Sequence, residues 1–478
     1  MNILLRYPKI VEAYSPHFED LFSPEGYVHF RRYLSGLLVS ENKTVEGINR
    51  LFVLDRRNQS SCNRFMGCQN FDIDALHARR LGLLQSKEAT RFKTGNQGVL
   101  SLDDTLLSHY GRQMEKIHNL YDHVNGCYTL AHNLVSLHYS DDKTDYPIAH
   151  TLWEPADWEA IALKMKALEV HLNANKFANR FTNPTKFRHY MRDRYRDCKD
   201  KHPDLRAMYK TKLDIGIELL RQFRVNYPTI DLPVAMDSGY TSADLCQILD
   251  TELNMAYVGS VKDSQTLILS GSEEITLADF RKRLIEQHQT LNSDGTPIEG
   301  NTKFFKTSVH YKGKTQILYA YCANHRLKGY HKKQRLVISF KEKDLTDVPR
   351  QCISNRLNWF ASTILRIRRH RWPIETFHQE GKEEGLDKYQ LRDFTAIKSH
   401  IAFVSTAYSM LKYASHDEDL LSTFRQRLEI ESKGTLAFLR QLMKADGLMY
   451  LIEFIFLQIQ KGNSIDNITK LLVPYALR

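Results

Sequence analysis

This chain has few of the features that would place it outside a reducing compartment or across a membrane. Its 478 residues contain seven cysteines (62, 68, 127, 198, 246, 322 and 352), scattered and odd in number. None forms a C-x-x-C pair, so neither a cysteine zinc site nor a disulfide framework is indicated. A reducing cytoplasm suits that usage. No stretch approaches the ~18–20 uninterrupted apolar residues of a membrane-spanning helix. The opening MNILLRYPKIVEAY is too short and too mixed for a secretory signal. There is no internal repeat and no low-complexity tract. These absences predict a cytoplasmic protein with no membrane partner.

What the chain has in excess is positive charge. Lysine and arginine number 67 against 56 acids, for a net charge of +11. The basic residues recur throughout and form no tail, which points to an acidic partner, nucleic acid first. The length allows several domains and a large core.

Residues 1–95 read as helical. Apolar positions recur at helical spacing over 27–38 and 45–53, with a polar turn at 40–44 between them. That pair suits either a helix-turn-helix DNA reader or plain bundle packing. The character changes near residue 97. Residues 97–104 read as a buried strand ending in two acids, and 127–139 and 145–153 as further strands. The proline of the third lies near its start, where a strand tolerates it. A long helical stretch to about 225 follows, then a strand at 230–237 capped by an acid, a helix at 242–253 and a strand at 255–259. Three strands, helix, strand, helix, strand is the order of an RNase H-like fold. Residues 260–350 interrupt it with a hairpin candidate around 312–314 and a strand at 334–340. From about 351 the chain reads as helical to its end. The expected fold is therefore α/β: an RNase H-like core with a β-rich insertion and helical N- and C-terminal regions. Its divisions are 1–95 (helical, DNA-binding), 96–259 (core, first part), 260–350 (insertion), 351–415 (core, second part) and 416–478 (helical, a candidate for dimerisation).

Three acids fall where that fold can use them. Asp104 and Asp237 each close a short apolar run, and a strand end fixed by a buried sheet holds a carboxylate rigidly. Far downstream, Arg371, Glu375, His378 and Lys382 are spaced by four, three and four residues, which puts them on one face of a helix. Two strand-end aspartates and one helix glutamate can converge on two divalent ions. Oxygen ligands favour Mg²⁺ or Mn²⁺. Two such ions ~3.5–4 Å apart activate a water or sugar hydroxyl and stabilise the leaving oxygen of a phosphodiester. The plainer readings are a turn or cap for each aspartate and an ion-paired exposed face for the helix. Cations alternate with aromatics over 176–196, where Arg188, Arg192 and Arg196 suit phosphate contact beside base stacking. A solvated face, partly paired with Asp193 and Asp197, is the alternative there.

The set Asp104-Thr105, Asp237-Ser-Gly-Tyr240 and Arg371-Trp-x-Ile-Glu375-x-Phe-His-x-x-x-Lys382 resembles the DDE transposases of bacterial insertion sequences, in particular the family-four branch. The resemblance covers roughly 97–258 and 351–415. It implies Asp104, Asp237 and Glu375 as the catalytic, metal-binding triad with two ions. Asp103 stays outside the triad, because the family's acid directly precedes the threonine. A β-rich insertion between the second aspartate and the glutamate also matches this branch. Arg371 and Lys382 match its phosphate-contacting pair, with His378 between them. Trp372 matches an aromatic near the DNA end in some members; burial with Ile374 and Phe377 is its alternative. Arg368 stands where the family has a tyrosine linked to a DNA-hairpin intermediate. An arginine keeps a phosphate grip and loses the ring.

The implied activity is cut-and-paste transposition by a nucleoid-associated bacterial enzyme. A homodimer would pair two terminal inverted repeats in double-stranded DNA, cleave with metal-activated water and join the 3′-hydroxyls to target DNA. The apolar run at 448–457 is a candidate subunit contact, with the core of a C-terminal bundle as its alternative. Two competing readings are an RNase H-like nuclease that cuts without joining and a domesticated, non-catalytic DNA-binding protein. Loss of a triad acid would mark the second, and all three acids are present.

Overall fold

The computed structural model describes residues 3–55, 57–68, 70–290, 301–429 and 435–473. Its core is built on β1 (Val99–Ser108), β2 (His118–Asp122), β3 (Cys127–Ser140), β4 (Asp145–Trp153), β5 (Val234–Met236) and β6 (Tyr257–Ser260). β3 lies antiparallel between β1 and β4, while β5 runs parallel to both β1 and β6. The order β4-β3-β1-β5-β6, with three antiparallel strands followed by two parallel ones, is the RNase H-like arrangement that the element order predicts.

Alternation along the strands explains why this sheet is covered on both faces. Leu100, Leu102, Val135, Leu137 and Tyr139 pack with Leu220 and Phe223 of the helix Lys212–Asn226. Val99, Ala235 and Val258 pack on the other face with Ile364, Leu365 and Ile367 of the helix Ala361–Arg369. The first helix lies so close that a Cβ at Gly216 would stand 2.6 Å from Leu102.

Between β6 and the helix Ala361–Arg369 come β7 (Thr266–Ile268), β8 (Glu274–Thr276), the helix Leu277–Gln289, β9 (Phe305–Tyr311), β10 (Lys314–Leu327), β11 (Gln334–Phe340) and β12 (Arg350–Ser354). β9 and β10 form the expected hairpin. Its turn residues Lys312 and Gly313 have φ of 46° and 72°, the left-handed pair that a two-residue turn requires. β12 pairs with β6 on one side and β11 on the other, so these strands extend the core sheet. The expected onset of helix at about 351 is thus corrected. Cys352 and Ile353 are buried in the sheet, and the helix begins at Ala361. β1 also runs past its two acids, because Thr105, Leu106 and Leu107 pair with Leu134, Asn133 and His132.

The N-terminal helices Pro24–Val39, Gln59–Cys68 and Ile73–Ser86 share one apolar core with the helix Phe394–Ala414. Phe30, Phe65 and Phe71 gather around Phe403. The helices of 27–53 pack into this bundle. The second helix, Val45–Asn49, has five residues, and a Cβ on Gly36 would stand 2.4 Å from Ile48. The helices Trp158–Ala167, Ala174–Thr182, Pro184–Cys198 and Pro203–Ala207 close on a small core of their own, which includes Ile161, Met165, Met191 and Tyr195. Among the described residues, no helix is long and apolar enough to cross a membrane.

One buried cation ties these layers together. Arg80, wholly buried, donates to the carbonyls of Pro147 (2.6 Å) and Ile148 (2.8 Å) on β4 and to the Ser409 hydroxyl (3.0 Å). It joins the N-terminal helices, the sheet edge and the helix Phe394–Ala414. Arg80→Ala should lower stability by about 3 kcal/mol, as expected when a hydrogen-bonded buried charge is removed and its partners are left unmet. An unchanged urea midpoint would show that solvent replaces those bonds.

Candidate active site

The sheet brings three acid-bearing segments together. β1 and β5 are in parallel register with Leu102 opposite Met236, so Asp103 and Asp237 follow one step further along adjacent strands. The Asp237 carboxylate accepts the backbone N–H groups of Gly239 (2.9 Å) and Tyr240 (3.0 Å), a turn that fixes its direction. Glu375 lies in the first turn of the helix Trp372–Glu383, which has proline in that turn. Ile374 and Phe377 anchor the helix by complete burial. Just before it, the His370 carbonyl accepts the hydroxyls of Ser101 on β1 (3.3 Å) and Ser140 on β3 (2.7 Å). Glu375 is thereby held against the strand that carries the aspartates.

Arg371 sits among these acids. One nitrogen of its guanidinium is 3.1 Å from Asp103 Oδ2, and the other reaches Glu375. Burial, and then the charge of Asp237, push the Asp103 carboxyl up to about 7 against the pull of Arg371. Asp104 faces a different set. Its Oδ2 accepts from Lys212 Nζ (2.7 Å) and Asn133 Nδ2 (2.7 Å), and its Oδ1 accepts from the Tyr240 hydroxyl (3.0 Å). Burial acts to raise Asp104, but these donors outweigh it and hold the group below its ordinary value. The Tyr240 hydroxyl is raised by burial and by Asp104, and stays protonated. Neighbouring residues of a strand point to opposite faces, and here it is Asp103 that Arg371 joins to Glu375.

Beside the acids lies a cavity of about 500 Å³ lined by Lys341, Arg350, Arg368, Arg369 and Arg371, with Trp372 and, among the described residues, no acidic side chain. Lys341 directly follows β11, Arg350 opens β12, Arg368 and Arg369 close the helix Ala361–Arg369, and Arg371 caps the helix Trp372–Glu383. Arg371 is shared between the cavity and the carboxylates. Trp372 is 60% exposed, so the expected alternative of burial with Ile374 and Phe377 is not what is found. Arg368 is half-buried in the cavity wall.

The remaining expected contacts separate. His378 is buried, and burial first, then His138 and Lys382, push it down to about 3. It is a neutral ring inside the fold, and the predicted single face of four polar residues is split. Lys382 is half-exposed on the same helix. Arg188 and Arg192 are exposed on the helix Pro184–Cys198, whereas Arg196 pairs with Asp193 at 3.3 Å. Sequence reasoning missed Lys212, Asn133, Lys341 and Arg350. Each comes from a segment remote from the motifs, and only the sheet's register shows where it lies.

The family described as DDE superfamily endonuclease matches residues 18–277, more than half of the chain, and the one described as Transposase DDE domain matches residues 207–410. A comparison with curated proteins finds no match. The first match takes in the aspartates of β1 and β5, and the second takes in Asp237 and Glu375. On these matches and this fold, the chain belongs to the DDE superfamily of endonucleases and transposases.

Proposed function

We propose that this chain is an insertion-sequence transposase of the cut-and-paste type. It would cleave DNA at terminal inverted repeats and join the freed 3′-hydroxyls to target DNA. The observation that carries this reading is that Arg371, one of five cations lining the cavity, joins Asp103 of β1 to Glu375 of the helix Trp372–Glu383, with Asp237 next to Asp103 on the adjoining strand. An acid cluster next to an arginine-lined hollow suits a phosphodiester, whose phosphates dock on the cations while the acids act on one bond.

The donor set, all oxygen, fits Mg²⁺ or Mn²⁺, two ions per site. When bound, such ions supply an activated water and stabilise the leaving oxygen. Among the described residues no three Asp, Glu, His or Cys side chains converge closely enough to chelate an ion as they stand. Arg371 occupies that place as the counter-charge of Asp103 and Glu375. Its guanidinium can turn to a phosphate in the adjoining cavity, where it forms two parallel hydrogen bonds. Arg350, Lys341 and Arg368 hold neighbouring phosphates, and the exposed Trp372 ring meets a base. Asp237 and Glu375 belong to the ligand set. The family pattern adds Asp104, and the contacts favour Asp103, with Asp104 holding Lys212 and Tyr240 in place.

Cleavage assays with Mg²⁺ test this directly. Asp237→Ala and Glu375→Ala should abolish cutting and leave DNA-end binding intact. Asp103→Asn should cost roughly 10²-fold or more, as loss of a stabilising group at a reaction centre does, and Asp104→Asn should cost much less. The reverse order would restore Asp104 to the triad. Full cleavage by the Asp237 or Glu375 variant would end the metal-site reading. A strand-transfer assay separates a transposase from a nuclease that cuts without joining.

Salt dependence tests the outer DNA contacts. Each phosphate neutralised contributes about −0.9 to the log–log slope of affinity against salt. Arg188→Ala with Arg192→Ala should flatten the slope, while Arg196→Ala alone, already paired with Asp193, should change it little. An unchanged slope in the double variant would make that face merely solvated.

The assembly has a candidate surface as well. On the helix Leu436–Gln460, Leu448, Ile452, Phe456 and Ile459 recur at helical spacing and are each 48–59% exposed. We propose that this stripe joins two protomers on paired DNA ends. Ile452→Asp with Phe456→Asp should reduce a two-protomer complex with end DNA to one protomer in light scattering. A wild-type complex that cleaves and joins with one protomer would refute the dimer.

A further inference from the structure

The ribbon of β2 and β3 stands out from the core and carries aromatics that the fold does not use. Between Tyr110 and Leu130 no residue is buried. Tyr121 and Tyr128 are cross-strand partners, their rings 5.2 Å apart and edge to face, and they are 44% and 68% exposed. His123 lies 5.0 Å from Tyr121, and Tyr110 is fully exposed. A two-stranded ribbon gains little stability from such residues when it packs on nothing.

The root of this ribbon is fixed, unlike its tip. The His109 N–H donates to the Leu130 carbonyl (2.8 Å), and His132 bridges Tyr389 and the Glu115 carbonyl at 2.8 Å each. Glu115 in turn donates its N–H to the Arg392 carbonyl (2.9 Å). Cations lie near both ends of the ribbon, Lys382 by Asp122 at the tip and Arg188 by His118 at the base. The Asp122 carboxyl is lowered by hydrogen bonds from Asn125 and Val124, with a further pull from Lys382 on the helix that carries Glu375. The His118 ring is lowered by burial and then by the charge of Arg188. The ribbon grows directly from β1, the strand of Asp103 and Asp104. Exposed rings between cations are the combination that holds unpaired nucleic acid, because any base can stack while the backbone is neutralised alongside.

We propose that the β2–β3 ribbon stacks unpaired bases of the DNA strand next to the cleavage site and so holds the duplex end open beside the acids. This rests on the DNA reading above. The ligand is single-stranded DNA at a fork, since bases stacked inside a duplex are covered on both faces by their neighbours.

The test uses the full-length protein in EDTA and two probes of arbitrary sequence. One is a fully paired duplex; the other is the same duplex with three unpaired terminal bases, one of them 2-aminopurine. The wild type should prefer the forked probe and quench its fluorescence. Tyr121→Ala with Tyr128→Ala should lose the quench and, on the order of ten-fold, the preference, with unchanged affinity for the paired duplex as the sign of an intact fold. Tyr121→Phe with Tyr128→Phe should keep both, because the ring does the stacking. Retained quench and preference in the alanine variant would overturn the proposal. So would a wild type that binds both probes equally, or a variant whose only defect is lost self-association, which would make the ribbon a contact between copies. A protein that binds neither probe would instead sink the DNA reading itself.

Discussion

Arg371 holds a set of acids that would otherwise repel one another. Asp103, Asp237 and Glu375 come from β1, β5 and a helix some 270 residues downstream of β1, and their approach costs energy unless a cation stands among them. The guanidinium, shared between Asp103 and Glu375, supplies that cation. The arrangement also has a second state available. The same side chain borders a basic cavity, so on the proposed reading a phosphate there would compete with the carboxylates for it and would leave room among the acids for divalent cations.

The surrounding frame positions both the acids and the cations. The β-rich segment adds strands to the core sheet through β12 and β6, and so places Lys341 and Arg350 beside Arg368 and Arg371. A detached module could not fix that spacing. On the far side, the Ser101 and Ser140 hydroxyls pin the chain at His370. This sets the axis of the helix that carries Glu375, and the buried Ile374 and Phe377 keep it from rotating.

Much of this was legible in the sequence. The order of strands and helices gave the core, the Lys312–Gly313 turn marked its hairpin, and the spacing of Arg371 and Glu375 predicted their contact. Other features are set by tertiary register and could not be read locally. Whether Asp103 or Asp104 faces Glu375 depends on which way one pleat points. His378 falls on a helical face that the fold covers, so a residue read as a DNA contact is a neutral buried ring. β12 is five residues long, too short to show a period, and β2 has no apolar alternation because it covers no core. The exposure of the 448–459 stripe is likewise invisible in a pattern that would suit a bundle interior equally well.

On the proposed reading, Arg371 stands in the place of a divalent cation. Mn²⁺ binding in the absence of DNA, followed by electron paramagnetic resonance for the wild type and for Arg371→Ala, tests it most directly. Removing the guanidinium leaves the carboxylates without their counter-charge, so the variant should bind Mn²⁺ at least ten-fold more tightly than the wild type, and addition of Asp237→Ala should abolish the gain. Equal or weaker binding by Arg371→Ala would contradict the account, because the arginine would then support the cation site and not compete for it.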